Sequence, residues 1–482
     1  MGRPGDYGLL AALAFAAFMT CLDNTVVNVA LPLVQQDLGL DLADLEWVAA
    51  AYPLTFAALL LTGGRSADVW GRRPTLLTGL VVFTSASLLC GLARTGGQLI
   101  TCRGLQGIGA ALVIPASLAV LTRDLGPKAR AAGVATWMGA LAAALALGPV
   151  IGGVISQHWG WSWIFVINVP FGALALVAVA RAVPGGTAPG LLPDGAAVPA
   201  AGGRPARHWA GRFDPVGVAL SCLAAGGCAY GLIEGPRLGF VSPVIMWAFA
   251  GSLGAFALFV IRQRTAGTPM VDLSLFRDRV FSGGVAAQVL WGLGVNGVFF
   301  FTTLFLQRGL GLSPTQAGLA FTPVAAFLIL ATPLTGLLVR RFGAHRTTAG
   351  GLLTVAAGLL LLSRSGDGAR LLDLMPGLIA IGAGSAVTVP LTARTLDTAT
   401  DTSSGVVSGV VSAARELSAL LGIALVGAVV ARRQGAAVRG GMDPGAAFLE
   451  GYQAGLMVAA ALVAIGAVVA GLALRPSHAP SP

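Results

Sequence analysis

The sequence predicts an all-α polytopic membrane protein, and three observations lead there. Hydrophobic residues make up 56% of the 482 positions and charged residues only 10%, against about 25% charged in soluble globular domains. Apolar stretches run from residue 8 to residue 474, which leaves no room for a sizeable water-soluble domain. Each run has close to the 20 residues that a helix needs to cross a bilayer core of about 30 Å. The alternating ten-residue pattern of a membrane barrel is absent, so helices are the physical choice.

That ruler gives fourteen candidate spans, near 8–32, 45–64, 75–94, 98–122, 131–156, 163–182, 214–233, 242–261, 280–304, 315–339, 347–363, 371–393, 404–431 and 447–474. The net charge of +10 comes from 29 Arg and one Lys (Lys128), scattered in short clusters between the runs. This is how topology charge is distributed, and no continuous basic face for nucleic acid is visible. With the N-terminus inside, 20 of the 30 basic residues fall on the cytoplasmic side, eight fall outside, and Arg103 and Arg415 lie within or beside spans. Both termini are therefore expected in the cytoplasm of a multi-pass plasma-membrane protein, although Arg432, Arg433 and Arg439 land outside. Five cysteines (Cys21, Cys90, Cys102, Cys222, Cys228) lie in or beside spans and read as small packing residues, with no disulfide framework. Asp23 interrupts the first run, so no cleavable signal is expected.

The segment 183–212 is the one long linker: twelve of its 30 residues are Gly or Pro, and it carries Arg204, Arg207 and Arg212. Such a stretch reads as a flexible cytoplasmic loop. The chain also echoes itself at an offset of 272: Gln35 and Leu38-Gly39-Leu40 meet Gln307 and Leu310-Gly311-Leu312, Gly64 and Gly71 meet Gly336 and Gly343, and Asn24 meets Asn296. Spans 1–6 then correspond to spans 9–14, with spans 7–8 inserted. The expected organisation is a six-helix bundle over 1–182, the linker 183–212, an inserted helix pair over 213–265, and a second bundle over 266–482. Parallel repeats of this kind belong to transporters that place substrate at the midplane between halves.

Four segments carry candidate chemistry. A carboxylate inside a span costs about 2.5–3.5 kcal/mol on insertion scales and marks an ion or proton pathway unless a fixed partner neutralises it; Asp23 lies deep in the first span. Arg103, in LITCRGLQGIGA, either snorkels outward or points inward and governs an acid such as Asp23. In GRSADVWGRR (64–73), Gly64 and Gly71 allow a tight reversal, Asp68 meets positive groups or a helix N-terminus, and Arg72 and Arg73 hold the loop inside. The segment reads as a latch between states or as a plain topology anchor. In GPVIGG (148–153), Pro149 kinks a span while Gly148, Gly152 and Gly153 allow close helix approach. A substrate cavity is expected to draw on Asn28, Trp137, Gln288, Trp291, Asn296, Phe300 and Glu416, although such residues are more often packing or lipid-facing and Glu416 has Arg415 beside it at the interface. The four histidines are too scattered for a metal site.

These motifs resemble the major facilitator superfamily, specifically its fourteen-span drug:proton antiporter family. LDNTVVNVALP (22–32) is similar to that family's first-helix signature, GRSADVWGRR to the superfamily's loop motif with Ser66 and Val69 departing from it, and GPVIGG to the antiporter signature, with Ala144 where a glycine is usual. Arg103 falls on the fourth-helix arginine linked to proton coupling. The segments 161–170, 304–323 and 403–422 also resemble the family. The resemblance implies a major facilitator fold and proton-driven efflux of small amphipathic compounds, with protons, substrate and lipid as partners, no cofactor, and a single chain as the working unit. A proton-coupled symporter importing a solute is the alternative on the same scaffold. A membrane-embedded enzyme is not expected, because no DDxxD, HExxH or phosphate-binding GKS/GKT segment occurs, and the same lack excludes an ATP-driven pump.

Overall fold

The computed structural model describes residues 4–123, 127–183, 214–266, 269–366, 368–398 and 404–475. Every regular element among them is helical, as expected where no water can satisfy backbone polar groups. The linker 183–212, apart from Val183, lies outside the described residues. The helices are α1 (Pro4–Leu38), α2 (Leu42–Val69), α3 (Arg72–Gly91), α4 (Gly96–Arg123), α5 (Pro127–Trp159), α6 (Trp163–Val166), α7 (Asn168–Ala182), α8 (Pro215–Leu238), α9 (Pro243–Thr265), α10 (Arg279–Leu304), α11 (Pro314–Ala320), α12 (Thr322–Leu362), α13 (Leu371–Ser385), α14 (Thr388–Leu396), α15 (Ser404–Arg439) and α16 (Pro444–Ala473). Their outward faces carry large apolar side chains, such as Trp247 at 76% exposure and Leu330 at 66%, which suits lipid and not water.

Thirteen helical stretches among the described residues are long and apolar enough to cross a bilayer, where fourteen spans were expected. The difference falls at Pro314–Leu362, where the expected spans 315–339 and 347–363 run on without a loop. The stretch is not straight: Gly343 has φ 79° and ψ 158°, outside helical space. Gly382 of α13 abuts the backbone of Val324, while Gly384, two residues on, abuts Gly351 and Val355. In a straight helix Val324 and Val355 would stand about 46 Å apart, so α12 folds back on itself at Gly343. A single glycine performs the reversal, inside the basic segment 340–346 (Arg340, Arg341, His345 and Arg346) that separates the two expected spans.

The described residues gather into two compact units, one within 1–227 and 250–270, the other within 228–249 and 271–482. In the first, α1 packs on α5 and α7, and α4 packs on both α2 and α3. In the second, α10 packs on α15 and α16, and α13 packs on α12. The repeat at offset 272 extends to local geometry. Gly39 and Gly311 share φ of 63° and 65°, and Gly71 and Gly343 share φ of 97° and 79°. Asp41 caps α2 in a reciprocal box with Asp44, and Ser313 caps α11 in the same box with Gln316. In each box a side chain accepts from the N3 amide while the N3 side chain returns to the cap amide.

The inserted helices α8 and α9 each contribute to both units. In the first, Asp214 accepts from the amide of Gly217 at the start of α8 (2.9 Å) and pairs with Arg262 of α9 at 3.3 Å. Ser252 Oγ donates to the carbonyl of Ala224 at 2.6 Å in the same hairpin.

Candidate functional site

The first unit encloses a polar cluster built from five helices. Asp23 sits on α1, with Val26 and Val27 packed into the core one turn on. Arg103 and Gln106 lie one turn apart on α4 and so share a face. Ser87 and Cys90 come from α3 and Tyr52 from α2. Asn168 opens α7, where the helix of the sixth span is interrupted at Ile167. Pro170 follows two residues later and lacks the N–H that would continue the ladder, which loosens the backbone at this point. Asp23, Arg103, Gln106 and Ser87 are fully buried, and Asn168 and Tyr52 are 2% exposed.

Asp23 is saturated. Its Oδ2 is ion-paired with Arg103 Nη1. Its Oδ1 accepts from Asn168 Nδ2 at 2.7 Å and from Gln106 Nε2 at 3.0 Å. Gln106 is the hub: Nε2 also donates to Ser87 Oγ (2.7 Å), while Oε1 accepts from Arg103 Nη1 (2.9 Å) and from the Cys90 thiol (3.3 Å). Arg103 Nε reaches the carbonyl of Val48 at 3.4 Å, and the guanidinium lies 4.7 Å from the Tyr52 ring centroid and 5.8 Å from that of Phe165. Tyr52 is held in turn by donating to the carbonyl of Thr20 at 3.0 Å. Arg103 Nη2 finds no acceptor, a deficit worth about 1–3 kcal/mol.

Of the two orientations open to Arg103, snorkelling is the wrong one: the side chain points inward and is 0% exposed. Its partner is Asp23. The same geometry seals Asp23 from solvent, so in this conformation a proton reaches it only after the cluster opens.

The antiporter-like motif forms the α1–α5 seam beside this cluster. A Cβ on Gly148 would run into the Thr25 side chain, and one on Gly152 would come within 2.7 Å of the Val26 carbonyl oxygen. Thr25 Oγ1 donates to the carbonyl of Ala144 at 3.3 Å across the seam. Pro149 lies half-buried inside α5, and Gly153 is buried.

In the loop motif only Gly71 makes the reversal, with φ 97° at the start of α3. Gly64 was expected to share that task; it lies inside helix α2, where the nearest atom to an added Cβ is on Pro115 at 3.7 Å. Arg73 Nη2 donates to the carbonyl of Ala180 at 2.5 Å, tying α3 to the end of α7, and Arg72 is the first residue of α3. The Asp68 side chain lies outside the described residues.

The expected cavity residues scatter. Asn28 and Trp137 lie in the first unit, where Asn28 is half-buried and Trp137 Nε1 donates to Ser117 Oγ at 3.0 Å. The others lie in the second unit. Trp291 Nε1 donates to Ser385 Oγ at 3.2 Å, and Asn296 Nδ2 donates to the carbonyl of Gly292 at 2.9 Å. Gln288 is buried and Glu416 half-buried. Phe300 is wholly buried, with its ring edge-on to Phe301, so it is packing and not cavity lining. Among the described residues no group of His, Cys, Asp and Glu is arranged to hold a metal ion.

Gln106, Ser87, Asn168 and Tyr52 were missed from sequence. Gln106 carried a readable signal, an amide one turn from Arg103 in an otherwise apolar span. The repeat shows how particular the cluster is. At offset 272, Asp23, Ser87 and Gln106 become Val295, Leu359 and Leu378. These three line a cavity of about 10 Å³ together with Phe299, Phe321 and others. One unit holds a charged hub, and its repeat holds an apolar void.

The sequence pattern described as Major Facilitator Superfamily matches residues 13–423 and 284–482. The chain is 35% identical to the multidrug resistance protein Stp of Mycobacterium tuberculosis over 88% of its own length and 75% of that protein. It is 34% identical to the methylenomycin A resistance protein of Bacillus subtilis, over 88% and 87%. With the tetracenomycin C resistance and export protein of Streptomyces glaucescens it shares 33% identity, over 90% and 77%. Among solved structures it is similar to a bacterial homologue of the lysosomal transporter Spinster in an inward-facing conformation, with TM-score 0.67, 16% identity and 98% of each chain covered. A peptide transporter POT follows at TM-score 0.66 and 15% identity, over 97% and 96%.

Proposed function

The chain belongs to the Major Facilitator Superfamily, and from that membership we propose that it is a secondary exporter of small amphipathic compounds, drugs or antibiotics, driven by the proton gradient through alternating access. Its setting is the plasma membrane, with both termini cytoplasmic. The family and its relatives are membrane transporters, and the resistance and export roles for which three of them are named favour efflux over import.

One observation carries the coupling: a carboxylate locked by Arg103, Gln106 and Asn168 in the centre of the first unit. Its charge state decides whether that lock holds. An ionised Asp23 binds the guanidinium and ties α1 to α4. A protonated Asp23 loses most of the attraction, and the orphan N–H of Arg103 already biases the pair toward release. Once the cluster opens to the outside, protonation of Asp23 keeps the guanidinium released, so the helices stay shifted and the substrate is discharged. Proton loss to the inside restores the lock and readies the site for another molecule. One charge crossing 100 mV supplies about 2.3 kcal/mol, enough for a roughly 50-fold concentration gradient.

The test is reconstitution in proteoliposomes with an imposed pH gradient and a fluorescent amphipathic cation. Accumulation driven by the gradient, with proton movement that depends on the dye, supports the reading. Dye movement that ignores the gradient contradicts it.

A further inference from the structure

Two thiols stand beside the cluster and have no part in the mechanism above. Cys90 is fully buried near the end of α3, and Cys102 is half-buried on α4. Cys102 lies one turn before Gln106, so the two share a face of α4. Cys90 donates to Gln106 Oε1 at 3.3 Å, and with Ser87 also bonded to Gln106 the α3–α4 register brings Cys90 opposite the turn of α4 that carries Cys102. Both are free thiols, separated by a short turn between antiparallel helices. In the inferred topology that turn faces outward, the side where disulfides persist.

We propose that Cys90 and Cys102 are a modification site, an oxidisable pair that closes to a disulfide under peroxide and thereby detunes the Asp23 cluster. The more accessible Cys102 sulfur attacks one peroxide oxygen, giving a sulfenic acid and releasing one water. The Cys90 sulfur then displaces the sulfenic oxygen, forming the S–S bond and releasing a second water. Two thiols are oxidised and one peroxide is reduced, with the thiol protons leaving in the two waters. Cys90 thereby loses the hydrogen that it donates to Gln106 Oε1, and α3 becomes tied to α4 beside the hub of the lock. The effect on transport rests on the coupling role proposed for Asp23; the disulfide itself does not.

The experiment treats the full-length protein in proteoliposomes with hydrogen peroxide and reads two quantities. Mass spectrometry without reduction reports the peptide joined through Cys90 and Cys102, and dye transport is followed before treatment, after it, and after dithiothreitol. The expected result is a joined peptide, a loss of transport of about threefold, recovery on reduction, and a Cys102→Ser protein that neither cross-links nor loses rate. Absence of the joined peptide overturns the site, and a joined peptide with an unchanged rate overturns the switch. If dye movement in untreated protein ignores the proton gradient, the proposed function fails while the peptide measurement still decides the site.

Discussion

Asp23 and Arg103 form an ion pair across 80 positions of sequence with neither side chain exposed to solvent. Two full charges without water are held only because nearly every remaining polar atom of the pair is occupied. Gln106 and Asn168 satisfy the carboxylate, and Val48, Gln106 and the faces of Tyr52 and Phe165 engage the guanidinium. Such a pair adds little net stability, yet breaking one half of it is costly. That imbalance suits a lock better than a strut.

Arg103→Leu is expected to destabilise the protein by about 3–5 kcal/mol, because it leaves a buried carboxylate without its counter-ion. The double variant Asp23→Leu with Arg103→Leu is expected to regain most of that loss. Thermal unfolding in detergent compares the two, and equal losses would mean that the pair acts as a simple strut.

Gly71→Ala and Gly343→Ala are each expected to cost about 1–3 kcal/mol, since both positions combine φ of 97° and 79° with an extended ψ that side chains disfavour. Their neighbours in the motif behave differently. Gly64→Ala and Gly336→Ala meet open space or ordinary contact, and each is expected to stay within about 0.5 kcal/mol of the parent. Melting temperatures of the four single variants check the contrast.

Gly152→Ala is expected to destabilise by about 1–3 kcal/mol, because the added methyl would press on the Val26 backbone and force α1 from α5. Unfolding of this variant beside Gly139→Ala, where nothing lies within 4 Å, isolates the seam from a general effect of the substitution.

Most of the architecture was legible because lipid imposes a simple rule, that long apolar runs become helices. The repeat was legible through Gly39 and Gly311, and through Gly71 and Gly343, whose shared positive φ requires glycine at both copies. Asp23 and Arg103 stood out because charge is rare in such spans. Their pairing was one of two readings that the sequence left open, since an arginine near a span end snorkels as readily as it turns inward. Gln106 stood out as an amide one turn from Arg103 and Asn168 lay at a helix break, but their roles escaped because only the fold brings both to one carboxylate. The fold-back at Gly343 was legible as the break between the spans 315–339 and 347–363, where Arg340, Arg341, His345 and Arg346 interrupt the apolar run.

Gln106→Leu copies into the first unit what Leu378 provides at the matching position of the second. The variant removes a partner from buried Asp23, Arg103, Ser87 and Cys90 and is expected to cost about 1–3 kcal/mol of stability, while pH-driven export falls about tenfold, the equivalent of about 1.4 kcal/mol. Export at the parent rate would remove the hub from the mechanism.

Asp23→Asn keeps the shape of the side chain and removes its capacity to carry a proton. In proteoliposomes, the account predicts that this variant still exchanges labelled substrate across the membrane at equal concentrations but no longer accumulates it against a gradient when a pH difference is imposed. Accumulation at the parent level, with proton flux still tied to substrate, would contradict it.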